Sequence, residues 1–228
     1  QKALIEQIRQ EQFDASINLF STTYNAKLVW KGKIPYRLAP ATKLAQIFYN
    51  KRIMQKRSQS AKPEFEYNLD LIRAFLSDIG QSIDEPSAPY LSFSSQQLEQ
   101  QKGKLAQQLE LDVNKPWVYV HAGSGGSANN LSLEQYTKLL CGLADEFEAV
   151  LTAGPGEEKK AAELQKLMAS RGRNAALYDE NDGLADFSCS IACADMFIAG
   201  STGPLHIAAA IDVPTVGFFP SKRSATPL

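Results

Sequence analysis

Three short stretches combine glycine with hydroxyl, amide or carboxylate side chains as an anion site requires: HAGSGGSANN from His121, AGPGEEKK from Ala153 and GSTGPLH from Gly200. Each follows an apolar run suited to a buried strand (WVYV, AVLT and MFIA) and leads toward residues with helical spacing. A helix start presents free N–H groups and a partial positive charge, so a phosphate is the simplest occupant. Within the third stretch, Gly200 and Gly203 permit close approach, and Pro204 suits a first helical turn. Ser201 or Thr202 can cap that helix or hold a phosphate oxygen, and helical spacing puts His206 within the same turn. The same residues would also make an ordinary N-cap with His206 as a polar neighbour. Three such turns gathered at one sheet edge favour a ligand instead.

The second stretch adds Glu157 and Glu158, which repel phosphate. As ligand groups they suit the acceptance of hydrogen bonds from ribose hydroxyls, and as structural groups they suit the positive end of a helix. Phosphate donors beside a ribose acceptor describe a nucleotide site. None of the turns is a Walker A sequence or a G-x-G-x-x-G fingerprint, which disfavours ATPase and dehydrogenase activities.

The elements that must carry these turns alternate regularly after residue 94. Helix SQQLEQQKGKLAQQLEL precedes strand WVYVHAG, SLEQYTKLLCGLADEF precedes AVLTAG, and GEEKKAAELQKLMASRG precedes AALYD. LADFSCSIACA then leads to MFIAG, and PLHIAAAI to TVGFF. Such alternation predicts βαβ units in a doubly wound parallel sheet with right-handed crossovers. Before it, ALIEQIRQEQ reads as a helix, DASINLF as a buried strand, IPYRLAP as an extended segment and KLAQIFYNK as a short helix. FEYNLDLIRAFLSDIG reads as a longer helix closed by Gly80. The Pro- and Ser-containing QSIDEPSAPYLSF marks a boundary, giving an expected partial N-terminal α/β domain over 1–85 and a doubly wound C-terminal one over 86–228.

Composition sets the outer limits. The chain has 228 residues, enough for two modest α/β domains, with 44% hydrophobic and 21% charged residues and a net charge of −1. No apolar run is long enough to span a bilayer, no signal-peptide pattern opens the chain, and Cys141, Cys189 and Cys193 form no disulfide framework, so a cytosolic location is expected. The three cysteines read as core packing, and the two His residues lie too far apart in sequence for a metal motif, so no metal is expected. A Ser201–His206 hydrolase is disfavoured because GSTGP is not a G-x-S-x-G elbow, and only His206 and His121 could serve as base. The charge is unevenly spread: ten of the 24 basic residues, and none of the 25 acidic ones, fall between Lys27 and Lys62. That segment is expected to meet an anionic partner.

The stretch MFIAGSTGPLHIAAAIDVPTVGFF resembles the signature of glycosyltransferase family 9, the ADP-heptose:lipopolysaccharide heptosyltransferases: Asp-(Ser/Thr)-Gly-(Pro/Leu)-x-His-(Leu/Ile)-x-Ala-Ala. VYVHAGSGGSANNLSLEQYTKL and VLTAGPGEE match further family motifs in order and spacing, and FDASINLF and FEYNLDLIRAFL match its N-terminal half more loosely. The resemblance implies a two-domain GT-B enzyme of two Rossmann-like domains, inverting and metal-independent, with no cofactor. It would move heptose from a nucleotide-sugar, ADP-heptose, onto the inner core of lipopolysaccharide. It also implies that Thr202, Gly203, Pro204, Leu205 and His206, with Ser201 beside them, line the diphosphate site. Gly123 and Ser124 would offer phosphate contacts, and Glu157 or Glu158 would face the ribose.

Two positions depart from the family pattern. Ser201 stands where the family has Asp, and a Lys that touches the diphosphate falls on Asn129 or Asn130, making Asn129 a candidate donor contact. The family's Ser-x-Gly-Asp loop, which supplies its presumed base, has no counterpart in these residues and is expected upstream. The basic segment gains a candidate partner in the phosphates and carboxylates of lipopolysaccharide, with Arg37, Lys51, Arg52, Lys56 and Arg57 positioned to meet it. Peripheral contact with the cytoplasmic face of the inner membrane is also expected, since a basic residue near an anionic leaflet contributes about 1 kcal/mol. Nucleic acid is not an expected partner, because no recognition motif accompanies the charge. A non-catalytic nucleotide-binding module is the alternative from another functional class.

Overall fold

A computed structural model describes residues 1–42, 44–59, 61–125, 130–143 and 146–219, which fall into two compact units, Gln1–Glu85 and Pro86–Leu228.

In the first unit, α1 (Lys2–Gln10), β1 (Ala15–Ile17), α2 (Thr23–Lys31), β2 (Tyr36–Pro40), β3 (Lys51–Ile53) and α3 (Glu64–Asp78) follow in order. A 3-10 helix, Leu44–Phe48, links β2 to β3. The strands form a parallel sheet in the order β1-β2-β3. Its core holds Ala26, Val29, Ile34, Ala39, Ala45 and Tyr49. Sequence periodicity misses α2, whose Tyr24, Val29 and Trp30 are poor helix formers. Its start is set by Thr22, whose hydroxyl accepts the Asn25 N–H at 3.0 Å. It also misses β3, a three-residue edge strand with Lys51 and Arg52 exposed, which carries no apolar alternation to read. The segment expected as a short helix is the tighter 3-10 form, and β1 is half-buried rather than buried. Gly80 has φ +73°, the left-handed conformation that a glycine after a helix supplies.

The second unit opens with α4 (Ser95–Leu109), started by a reciprocal capping box between Ser94 and Gln97. Then come β4 (Trp117–His121), α5 (Leu133–Cys141), β5 (Glu148–Thr152), α6 (Glu158–Ala169), β6 (Ala176–Tyr178), α7 (Leu184–Ala192), β7 (Met196–Gly200), α8 (Gly203–Ile211) and β8 (Thr215–Phe218). The five strands are parallel in the order β6-β5-β4-β7-β8, a doubly wound arrangement that reverses direction between β4 and β7.

Strand alternation divides the core. Trp117, Tyr119, Val150 and Phe197 pack on one face beside Leu105, Ile191 and Leu205, while Val118, Val120, Leu151 and Ile198 pack on the other beside Tyr136, Leu140 and Leu164. Cys193 belongs to the first face, and burial pushes its thiol up to about 12, as for a packed, unreactive cysteine. Among the described residues no helix is long and apolar enough to cross a membrane.

Candidate nucleotide-binding edge

The strand order reverses between β4 and β7, and the carboxyl ends of strands at such a reversal are where doubly wound sheets bind ligands. The turn after β7 carries Ser201, half-buried, and Thr202, at 8% exposure. Thr202 occupies the N-cap of α8 in an extended conformation, yet its side chain makes no capping hydrogen bond. Its Oγ1 is buried and has no hydrogen-bond partner among the described residues. An orphaned hydroxyl there is costly, and a ligand oxygen would satisfy it. Pro204 lies in the first turn, so no N–H is lost there, while Gly203 is exposed and a Cβ built on it meets nothing within 4 Å. Leu205 is buried in the core beneath the turn, and His206 is exposed one step further along α8.

The turn after β4 is organised differently. Its helix, α5, begins only at Leu133 and is closed by a capping box between Ser132 and Gln135, so that helix start is already satisfied, unlike the expectation from sequence. The anion-binding capacity lies earlier, in the N–H groups of Ser124 and Gly125. Both donate to Oε1 of Glu157 at 2.7 Å. Gly123 is buried against that carboxylate, and a Cβ at 123 would lie 1.9 Å from Glu157 Oε2. Asn130 fastens the other side of the loop, donating to the carbonyls of Ala122 and Gly123 at 3.0 and 3.1 Å and accepting the Tyr136 hydroxyl at 2.7 Å. It also covers Gly200, where a Cβ would approach its Oδ1 to 2.5 Å. Asn130 is therefore engaged within the loop, and Asn129 lies outside the described residues.

After β5, Glu157 forms the N-cap of α6 and Glu158 its first residue. Burial works to raise the Glu157 pKa, but the N–H groups of Gly125, Ser124 and Gly154 and the neighbouring His121 outweigh it and hold the carboxyl below its usual range. Glu158 is exposed, accepts the Gly156 N–H at 2.9 Å and is likewise held low, chiefly by that bond.

His121 is the residue that the sequence motifs did not assign here. It lies at 3% exposure, with Nε2 3.3 Å from Glu157 Oε2 and Nδ1 2.9 Å from Thr152 Oγ1. Burial lowers its pKa, so the ring is neutral near pH 7. The legible signal was alternation along β4, which places His121 on the same face as Trp117 and Tyr119.

In the first unit, four residues of the basic segment have internal partners. Arg37 donates to the carbonyl of Phe48 at 2.9 Å and to that of Ile34, and Lys51 pairs with Asp78 at 3.0 Å. Arg57 pairs with Glu64, also reaching Asn68, and Lys62 pairs with Asp70. The acids absent between residues 27 and 62 are supplied by α3. Arg52 and Lys56 are exposed and have no ion pair among the described residues.

Two parallel-sheet α/β units, the second doubly wound, define the class of fold. The model of glycosyltransferase family 9 (heptosyltransferase) matches residues 1–227, and the chain belongs to that family. It is 53% identical over 228 residues to a putative glycosyltransferase of Haemophilus influenzae, of which it spans 65%. Among solved structures it is similar to the family 9 glycosyl transferase of Veillonella parvula, with a TM-score of 0.72 at 16% identity, covering 95% of this chain and 61% of that one. It is also similar to E. coli heptosyltransferase WaaC with ADP, with a TM-score of 0.69 at 20% identity, covering 98% of this chain and 68% of that one. The fold is thus that of the GT-B heptosyltransferases. The chain spans about two thirds of the proteins it matches.

Proposed function

We propose that this chain carries the donor-binding part of a glycosyltransferase that moves a heptose, or a related sugar, from a nucleotide-sugar to the inner core of lipopolysaccharide. ADP-heptose is the donor this reading favours. Family membership supports sugar transfer, and the similar E. coli structure is a complex with ADP. The observation that carries the reading is the buried, unpartnered Thr202 hydroxyl at the uncapped start of α8, beside the strand-order reversal.

In this reading the diphosphate lies against Ser201, Thr202, Gly203 and the first turn of α8, with Pro204, Leu205 and His206 shaping that turn and Gly123 and Ser124 facing it from the loop after β4. Ribose hydroxyls are accepted by the Glu157–Glu158 pair, of which Glu158 has the freer oxygens. Breaking the sugar–phosphate bond leaves additional negative charge on the departing nucleoside diphosphate. Donors fixed at the α8 terminus stabilise that charge without reorganising. Ser201, neutral where the family pattern has Asp, adds no repulsion. The described residues are thus assigned leaving-group stabilisation, with inversion and metal independence following the family resemblance and the general base assigned elsewhere. Of the five candidate acceptor-side cations, Arg52 and Lys56 are exposed with no ion pair among the described residues, and they are assigned to an anionic acceptor at the cytoplasmic face of the inner membrane.

A thermal-shift panel of ADP, UDP, GDP and their sugars tests the donor. ADP and ADP-sugars should raise the melting temperature most, since a ligand at a hundredfold excess over its Kd contributes about 2.7 kcal/mol. Stabilisation by UDP or GDP compounds alone would overturn the choice of ADP, and no response to any of them would overturn the nucleotide site itself.

A further inference from the structure

We propose that His121 is a positioning residue of the donor site: it holds the Glu157 carboxylate, and Glu157 holds the backbone of the glycine-rich loop after β4. The proposal rests on the donor-site reading above and adds to it a buried residue that acts through another.

The chain of contacts begins in the sheet. His121 and Thr152 are register partners on the parallel strands β4 and β5, so their side chains share a face. The Thr152 hydroxyl lies 2.9 Å from His121 Nδ1, and because the Glu157 carboxylate at Nε2 can only accept, the one hydrogen of the neutral ring belongs on Nε2. Nδ1 then accepts, and in a neutral ring Nε2 carries the hydrogen toward Glu157 Oε2, 3.3 Å away. The other carboxylate oxygen takes the N–H groups of Ser124 and Gly125, both at 2.7 Å, the length of charge-assisted bonds. The nearby Gly154 N–H also favours the ionised carboxylate. A carboxylate has about four acceptor positions, and the three donors from His121, Ser124 and Gly125 leave Glu157 one for a ligand hydroxyl.

Only glycine at 123 leaves room for this arrangement, because a Cβ there would lie 1.9 Å from the carboxylate. The turns HAGSG and GPGE are therefore complementary parts of one latch, with His121 as its anchor. Without the Nε2 hydrogen, Oε2 would face an apolar side chain with an unmet acceptor. The carboxylate, 18% exposed on its side chain, would turn toward water and release the Ser124 and Gly125 N–H groups.

The test compares His121→Leu, which removes both ring nitrogens, with His121→Gln, which keeps a donor near the Nε2 position, in the full 228-residue chain. Amide hydrogen exchange reports the loop, and calorimetric titration with ADP reports the site. His121→Leu should speed exchange at Ser124 and Gly125 by about tenfold or more and weaken ADP binding by about tenfold. His121→Gln should stay within about threefold of the parent in both. Glu157→Gln provides a second, less buried lesion with the same expected loosening. Combining it with His121→Leu should add little, because both break one latch. Unchanged loop exchange in His121→Leu would overturn the proposal, as would equal impairment of the Leu and Gln variants or full additivity with Glu157→Gln. If the parent binds no ADP, the donor reading fails, while loop exchange still decides whether His121 holds the latch.

Discussion

The turns after β4 and β7 stand beside each other at the same sheet edge and are both rich in glycine, yet they are satisfied in opposite ways. After β4, an anion from within the chain, the Glu157 carboxylate, already fills the backbone N–H groups. After β7, the Thr202 hydroxyl is buried without a partner among the described residues, and the start of α8 has no side-chain cap. A filled turn holds shape, and the open one is where the donor-site reading puts the ligand. Anion-binding geometry alone therefore does not mark a ligand site, since the chain can be its own anion.

The largest effect should come from blocking the open turn. A Cβ at Gly203 meets nothing within 4 Å, so Gly203→Val should fold with an unchanged melting temperature. Its side chain would occupy the approach to α8 and weaken ADP binding by well over tenfold, more than about 1.4 kcal/mol, by calorimetry. Thr202→Val sharpens the contrast through opposite signs. Removing an unpartnered buried hydroxyl should stabilise the free protein by about 1 kcal/mol in urea unfolding while weakening ADP by about tenfold.

Gly123→Ala attacks the filled turn by displacing the Glu157 carboxylate. It should lower the melting temperature and weaken ADP by about fivefold, an indirect effect on the ligand that makes the sign of its stability change the reverse of Thr202→Val.

Acidification should also act on the filled turn. Burial depresses the His121 pKa, so the native state resists protonation that the unfolded chain accepts. The stability from this neutral ring is fully present above its unfolded value of about 6.5 and is lost progressively as pH falls below it toward the lower folded value. The groups that act on the ring include Glu157, which favours its charged form, and Lys160, which opposes it. Melting scans should therefore show a fall as pH drops below about 6.5 that is smaller in His121→Gln.

The smallest effect on the donor site concerns the cations of the first unit. Reversal of Arg52 and Lys56 to Glu should raise the acceptor KM and leave ADP affinity unchanged. Arg57→Glu should instead cost stability, because its guanidinium is held by Glu64 and Asn68. Equal acceptor KM in the Arg52/Lys56 variant and the parent would remove these residues from the acceptor side.

Much of the second unit was legible in the sequence because its elements are long and strictly alternating. WVYVH, EAVLT and MFIAG each sit between turn signals and helical spacings, and the structure makes them parallel strands. The first unit was less legible because β3 is short and charged and α2 is rich in aromatic and β-branched residues. The charge run from Lys27 to Lys62 read as one surface, but α3 supplies Glu64, Asp70 and Asp78 to three of its members. Linear composition does not show such pairings. The joining of Glu157 to the loop after β4 was hidden for the same reason, since its partners lie 32 and 33 residues away in sequence.

The most direct test is a crystal structure of the chain with ADP bound. The donor-site reading predicts a phosphate oxygen within hydrogen-bond distance of Thr202 Oγ1 and of the first N–H groups of α8, with the ribose toward Glu157 and Glu158. ADP bound with its phosphates away from the start of α8, and the Thr202 hydroxyl still without a partner, would contradict it.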